Sequence, residues 1–232
     1  MRLQVNNIDS YKKANEILYA LEAIKVYGDG IVSKVALQKI IYLSTVLAPI
    51  KEIVLSFLRF QYNYRGPWNV DIQNTVDHLV AIGAVDVVSF KAISSRKALA
   101  NYSISTEGSE IVKSLIINSS EEGKFWWITT VSRAAYYIIG RNWESEWSGL
   151  DRIVDLVYKD PSFLDLKENQ GFLRSIEFGK ESGLTYDLIQ FVKSYLTKYE
   201  LEVTPSNERK VSEMLIIAFL EFYANKLTQE PE

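Results

Sequence analysis

YNYRGPWNVDIQNTVDHLVAIGAVDVV, residues 62–88, decides the fold. Gly66-Pro67 makes a turn directly after an aromatic, arginine-bearing segment. Asn69 then offers a side-chain oxygen to the first free N–H groups of a helix, and Asp71 in the first turn complements the helix dipole. Ile72, Val76, Leu79 and Val80 share one face of that helix. Gly83 supplies a left-handed stop, and AVDVVSF (84–90) is a β-branched run that reads as a strand.

Upstream the pattern is helical. Ser10 is placed to cap a helix running to about Val26, with Ala14, Ile17, Leu18, Leu21 and Ile24 on one stripe. Gly28-Asp29-Gly30 breaks it. Ser33 caps a second helix, KVALQKIIYLSTVL, whose apolar face is Leu37, Ile40, Ile41 and Leu47, and Pro49 follows its end. IVLSFLRFQY (53–62) is short, β-branched and aromatic, so it reads as a strand. Downstream, KAISSRKALA (91–100) reads as a polar, basic loop and NYSIS (101–105) as the returning strand. Thr106 opens another helix, TEGSEIVKSLII, with Glu110 near its first turn. Helix, helix, extended piece, helix, strand, basic loop, strand, helix is the order of a winged helix, with 91–100 as the wing.

NSSEEG (118–123) reads as a polar joint before an all-helical remainder. FWWITTVSRAAYYIIG (125–140) and SGLDRIVDLVYKD (148–160) read as helices, the second ended by Pro161. In GLTYDLIQFVKSYLTKYE (183–200), Leu184, Leu188, Phe191, Val192, Tyr195 and Tyr199 recur at helical spacing. A last helix starts at Thr204-Pro205 and runs through KVSEMLIIAFLEFYANKL, with Met214, Ile217, Ala218, Leu220 and Phe222 facing inward. The expected fold is mostly α with a small β-wing, an α+β arrangement. It divides into a winged-helix domain over 1–117 and an α-helical extension over 118–232.

Composition narrows the function. The 232 residues are 47% apolar, enough for a substantial core, and the net charge of −3 gives no general pull toward nucleic acid. The charge is uneven: residues 1–117 carry +3 and residues 118–232 carry −6, a split that fits two faces with different partners or simple chance. With no cysteine, disulfides, thiol catalysis and cysteine-built zinc sites are excluded. The N-terminal MRLQVNNIDSYKK lacks the apolar core of a signal peptide, and the longest apolar run, MLIIAFL (214–220), is far short of a membrane span. These features point to a soluble cytoplasmic protein without membrane contact.

No catalytic pattern appears. The one histidine, His78, sits mid-helix beside Asp77, where neighbouring side chains diverge. There is no H-E-x-x-H, phosphate loop or nucleophile elbow, and Glu121-Glu122 reads as a solvated joint. No catalytic residue, metal ligand or cofactor is assigned, and the chain reads as a non-enzyme.

A winged helix raises the question of DNA. The helix that would enter a major groove presents Asp71, Gln73, Asn74, Asp77 and His78 and contains no Lys or Arg. Duplex affinity rests largely on cations against phosphate, so two carboxylates disfavour that use. Gln73 and Asn74 suit adenine edges, but nothing on the helix would hold the backbone. The wing differs: Lys91, Arg96 and Lys97, with Arg65 nearby, are candidates for a phosphate contact without base readout. An ordinary solvated hairpin is the plainer alternative. The aromatics Tyr64, Trp68, Trp126 and Trp127 are candidate partner anchors. Consecutive tryptophans at 126 and 127 cannot both face one core from a helix, so internal packing competes with that role.

Three segments carry a resemblance. ALQKIIYL (36–43) resembles the L-Q-K-[IL]-[IL]-Y helix of a widespread prokaryotic winged-helix group. YRGPWNVDIQNTVDHLVAIGAV (64–85) resembles its Y-G-P-[YW]-S-x-x-[IL] turn and helix, and NYSISTEG (101–108) its closing Y-x-L-T-x-x-G. The chain departs by inserting Arg65 into the turn and by placing Asn69 where serine is usual; asparagine keeps the capping role. The group includes Panacea-like antitoxin domains and the middle components of three-component SMC-like ATPase systems, as in Lamassu-type antiviral defence. The helical extension is more similar to the middle components. The resemblance implies an adaptor between an SMC-like ATPase and an effector; a non-specific DNA contact through the wing cations and a homo-oligomer stay open beside it. A DNA-binding regulator or antitoxin is the alternative. It implies no catalytic residues.

Overall fold

The computed structural model describes residues 2–61, 66–94, 97–117, 119–140, 157–158, 160, 163, 174–175, 184–200, 202–204 and 206–229. It is mostly helical with a small antiparallel sheet. Helix α1 spans Arg2–Tyr27, strand β1 Val32–Ser33, α2 Lys34–Leu47, β2 Arg59–Phe60 and α3 Val70–Ala81. Strands β3 (Val85–Ser94) and β4 (Lys97–Ile104) form a hairpin, followed by α4 (Thr106–Leu115) and α5 (Ser119–Gly140). Strand β5 (Arg174–Ser175) pairs with β2, and α6 (Leu184–Lys198) and α7 (Glu208–Gln229) complete the described elements.

The helix starts follow the capping residues. Ser33 accepts from the Ala36 N–H, Asn69 from the Asp71 N–H, and Ser105 from the Gly108 N–H. Gly83, at φ +77°, ends α3 in the left-handed region. On α3, Ile72, Val76 and Leu79 are buried, as their spacing requires, and Val80 is half-buried. Helix α2 is covered on all sides, with every residue from Ala36 to Leu47 buried. An all-round buried helix belongs at the centre of a core, and α1, α5 and α6 pack against it.

The three-stranded sheet has the order β1-β4-β3. Val32 pairs with Tyr102, Val85 with Ile104 and Val87 with Tyr102. The register shifts at Val88 and again at Ile93, so β3 carries extra residues against β4. One hydrophobic cluster runs from Ile17 and Leu21 on α1 through α2, Phe57 and Phe60 to Trp127, Ile128 and Val131 on α5. It continues through Leu184, Leu188, Phe219 and Leu220.

Five expectations are corrected. Ser10 lies inside α1, which begins at Arg2, so it is not a cap. The strand expected over 53–62 is confined to Arg59–Phe60 and a single bridge between Gln61 and Trp68; its apolar residues Leu55 and Phe57 instead fill the core from irregular backbone. The loop expected over 91–100 is strand on both sides of residues 95–96, because the hairpin continues outward past the sheet body. The polar joint is not a break: residues 119–123 are the first turns of α5, and Glu121 is tied to α1, with Tyr19 donating to it at 2.8 Å. On α7 the inward stripe is Leu215, Ile216, Phe219 and Leu220, while Met214 and Phe222 are more than half exposed. The helix expected over 148–160 lies outside the described residues apart from Val157, Tyr158 and Asp160.

Among the described residues, no helix is long and apolar enough to cross a membrane.

Candidate docking site on α3 and the hairpin

The segments singled out by resemblance hold the structure together. Gln38 on α2 donates to the Asn69 carbonyl at 2.9 Å and accepts from the Asn69 N–H at 3.0 Å, closing both backbone bonds of a buried turn residue. Lys39, fully buried, donates to the Pro67 carbonyl at 2.8 Å. Tyr42 donates to the buried Asp160 carboxylate at 2.5 Å and meets Phe60 edge-to-face at 5.1 Å. Burial and the adjacent carboxylate raise the Tyr42 phenol well above its ordinary value, so it stays a neutral donor. Leu-Gln-Lys and its tyrosine therefore lock the turn before α3 and the chain beyond α5 onto one helix.

That lock fixes the direction of α3. Its first turn is neutralised from α1: Lys13 pairs with Asp71 at 2.8 Å and with Asp9 at 3.3 Å. Gln73 donates to Asp77 at 2.6 Å and to the Tyr102 hydroxyl at 3.1 Å, tying α3 to β4. Asn74, Asp77 and His78 remain exposed, with Val70 and Ile82 as apolar exposed residues at either end. The outward face is thus polar, carries no Lys or Arg, and is bounded by two aliphatic side chains.

The hairpin beside it is more apolar than its sequence suggested. Val87, Val88 and Leu99 are exposed, and Phe90 is 67% exposed. Of the wing cations, Lys91 is exposed on β3, and Lys97 begins β4 with its backbone opposite Ser94. Arg96, Arg65 and the expected anchor Tyr64 lie outside the described residues.

The tryptophans divide. Trp68 is half-buried with the Lys34 ammonium 5.2 Å from its ring centroid, at the start of the turn into α3. Trp126 is half-buried on α5 with Lys51 5.7 Å from its ring. Trp127 is fully buried and donates to the Ser44 carbonyl at 2.8 Å, pinning α5 to α2. It presents no surface, which corrects the expectation that it anchors a partner: two adjacent helix positions diverge by about a quarter turn or more, and the core took this one.

One group has no counterpart in the sequence reading. Glu16 is 1% exposed and accepts from both the N–H and the hydroxyl of Ser56. Burial pushes its carboxyl up to about 7, against the pull of the Ser56 bonds and of Lys124. A cleft of about 540 Å³ lies beside this contact, lined by Asp9, Lys12, Glu52, Leu55, Ser56 and Lys124. Glu16 spends its oxygens on Ser56, which makes it a clamp on the segment before β2. No local pattern marks it, since its partner lies 40 residues away.

No protein-family model and no curated protein matches this chain.

Proposed function

We propose that this chain is a non-enzymatic cytoplasmic adaptor. In this reading α1–α4 and the β3–β4 hairpin are a winged helix, and α5 begins a helical extension. The winged helix docks on protein through the outward face of α3. The observation that carries the reading is the chemistry of that face: Asn74, Asp77 and His78 between Val70 and Ile82, with no cation. Phosphate needs cations. A protein–protein contact instead combines apolar area with satisfied hydrogen bonds; Val70 and Ile82 offer the first, and Asn74, Asp77 and His78 the second. Trp68 and Trp126, both half-buried beside lysines, supply further anchoring surface.

The resemblance to middle components of SMC-like ATPase systems suggests the partners. They are an SMC-like ATPase and an effector subunit in a prokaryotic antiviral complex, which this chain would bridge and regulate. Expression together with the neighbouring genes tests this. A stable stoichiometric complex is expected, and a chain that purifies alone under the same conditions contradicts it.

A DNA-binding regulator or antitoxin is the second reading. It is favoured by Lys97 at the hairpin end, next in sequence to Arg96 and near Lys91. It requires that the purified chain alone bind a defined duplex.

A further inference from the structure

Strand β3 is ten residues long and stands at the sheet's edge. Among the described residues, no strand pairs with its outer side. Half of its backbone N–H and C=O groups point that way, and an open edge of this kind is a template for another strand. Natural edges are usually blunted by proline, by charge or by β-bulges; of these, β3 has the register shifts at Val88 and Ile93. β3 has no proline, one acidic residue, Asp86, one basic residue, Lys91, and exposed Val87, Val88 and Phe90.

The bulge at Val88 sets which side chains share a face. Asp86 lies opposite Ser103 and Lys91 opposite Leu99, four positions apart on β4, so both side chains lie on one face of the hairpin. Val87 lies opposite Tyr102 and Phe90 opposite Ala100, two positions apart, so both lie on the other face. Without the extra residue, Asp86 and Lys91 would point to opposite faces.

This arrangement is self-complementary. Lay a second β3 antiparallel beside the first, with the two-fold axis normal to the sheet between Val88 and Ser89. Asp86 then faces the Lys91 of the other copy, Lys91 faces its Asp86, and Val87 and Phe90 pair twice on the opposite face. Both of these pairs fall on matching faces because each strand carries the same bulge. A register that puts Lys91 opposite itself is repelled. Within the chain, neither Asp86 nor Lys91 forms an ion pair among the described residues.

We infer that a second copy of this chain is the occupant of the β3 edge, joining two sheets in the order β1-β4-β3-β3-β4-β1. The face carrying Val87 and Phe90 also carries Tyr102, which accepts from Gln73 of α3. A two-fold axis normal to the sheet keeps faces, so both α3 helices lie on one side. The pair presents two docking faces in the same direction. This inference stands apart from the adaptor reading, since self-pairing is measured without any partner.

The test is sedimentation of the full chain across a concentration series, at low and moderate salt. The wild type should show a monomer–dimer equilibrium. Lys91→Asp and Asp86→Lys each set like charges opposite one another twice and should weaken dimerisation about tenfold or more. The double variant D86K/K91D restores opposite charges and should return to near wild-type behaviour, which separates pairing from misfolding. A wild type that stays monomeric at several hundred micromolar (about that order) overturns the inference. So does a dimer that ignores both single swaps, or β3 amide protection that appears only when a different protein is added.

Discussion

The Glu16 carboxylate accepts the Ser56 N–H at 2.8 Å and 3.0 Å and the Ser56 hydroxyl at 2.8 Å, in a site 1% exposed to solvent. On α5, Lys124 attracts its charge and Glu121 repels it, and Tyr19, one helical turn further along α1, donates to Glu121. A buried acid with these neighbours binds a proton near neutrality.

Stability should therefore depend on pH through this one residue. Between the ordinary value of 4.5 and about 7, folded Glu16 holds a proton that the unfolded chain has released. Stability then falls as pH rises across that window and levels off above it, by up to ~3 kcal/mol. Glu16→Gln keeps an acceptor for Ser56 without the titration. Urea midpoints measured from pH 5 to pH 8 should decline for the wild type and stay nearly flat for the variant.

Gly108 allows α4 to approach the end of α3. A Cβ there would stand 2.2 Å from the Ala84 carbonyl oxygen, a backbone atom. Gly108→Ala should destabilise the chain by roughly 2–4 kcal/mol despite alanine's better helix propensity. Gly123→Ala, in the first turns of α5 with nothing within 4 Å, should be neutral or mildly stabilising in the same denaturation series.

Removing Gln38 leaves two backbone groups of Asn69 without partners in a buried turn. Gln38→Ala should cost about 2–4 kcal/mol. It should also raise amide exchange across 66–70 more than elsewhere. Gln38→Glu sets a buried carboxylate oxygen against the Asn69 carbonyl and should cost at least as much at neutral pH.

Charge reversal at Arg96 and Lys97 addresses the wing. If a complex containing this chain binds nucleic acid through the hairpin, the double reversal should weaken that binding and reduce its salt slope by about two charges. Assembly with protein partners through α3 should be unaffected. Unchanged affinity and slope remove the wing as a phosphate contact.

The sequence carried the parts of the fold that are local. Asn69, the spacing of Ile72, Val76 and Leu79, and Gly83 specify α3 within fifteen or so residues, and each plays the expected part. What was not legible depends on distant partners. Residues 53–58 look like a strand by composition, yet Glu16 takes the Ser56 N–H and the core takes Leu55 and Phe57, so no ladder forms there. Residues 119–123 look like a joint until Tyr19 claims Glu121 from 102 residues away. The outer hairpin looked like a basic loop because Ala and Lys are weak strand formers; pairing between β3 and β4 overrides that preference. On α7 the apolar residues crowd more than one face, so periodicity alone did not choose Phe219 over Phe222. At the candidate site, the missing cations of α3 were visible in the sequence. The pairing of Asp71 with Lys13 and the bulge at Val88 were not.

The most direct measurement is hydrogen exchange of residues 70–82 in the purified chain, alone, with a co-purified protein partner, and with duplex DNA at moderate salt. The account predicts that α3 gains protection on the protein partner and none on the duplex, and that Asp77→Arg abolishes the gain while leaving the core amides of α2 unchanged. Protection of α3 by a defined duplex in the absence of any partner, lost on Asn74→Ala, would contradict it.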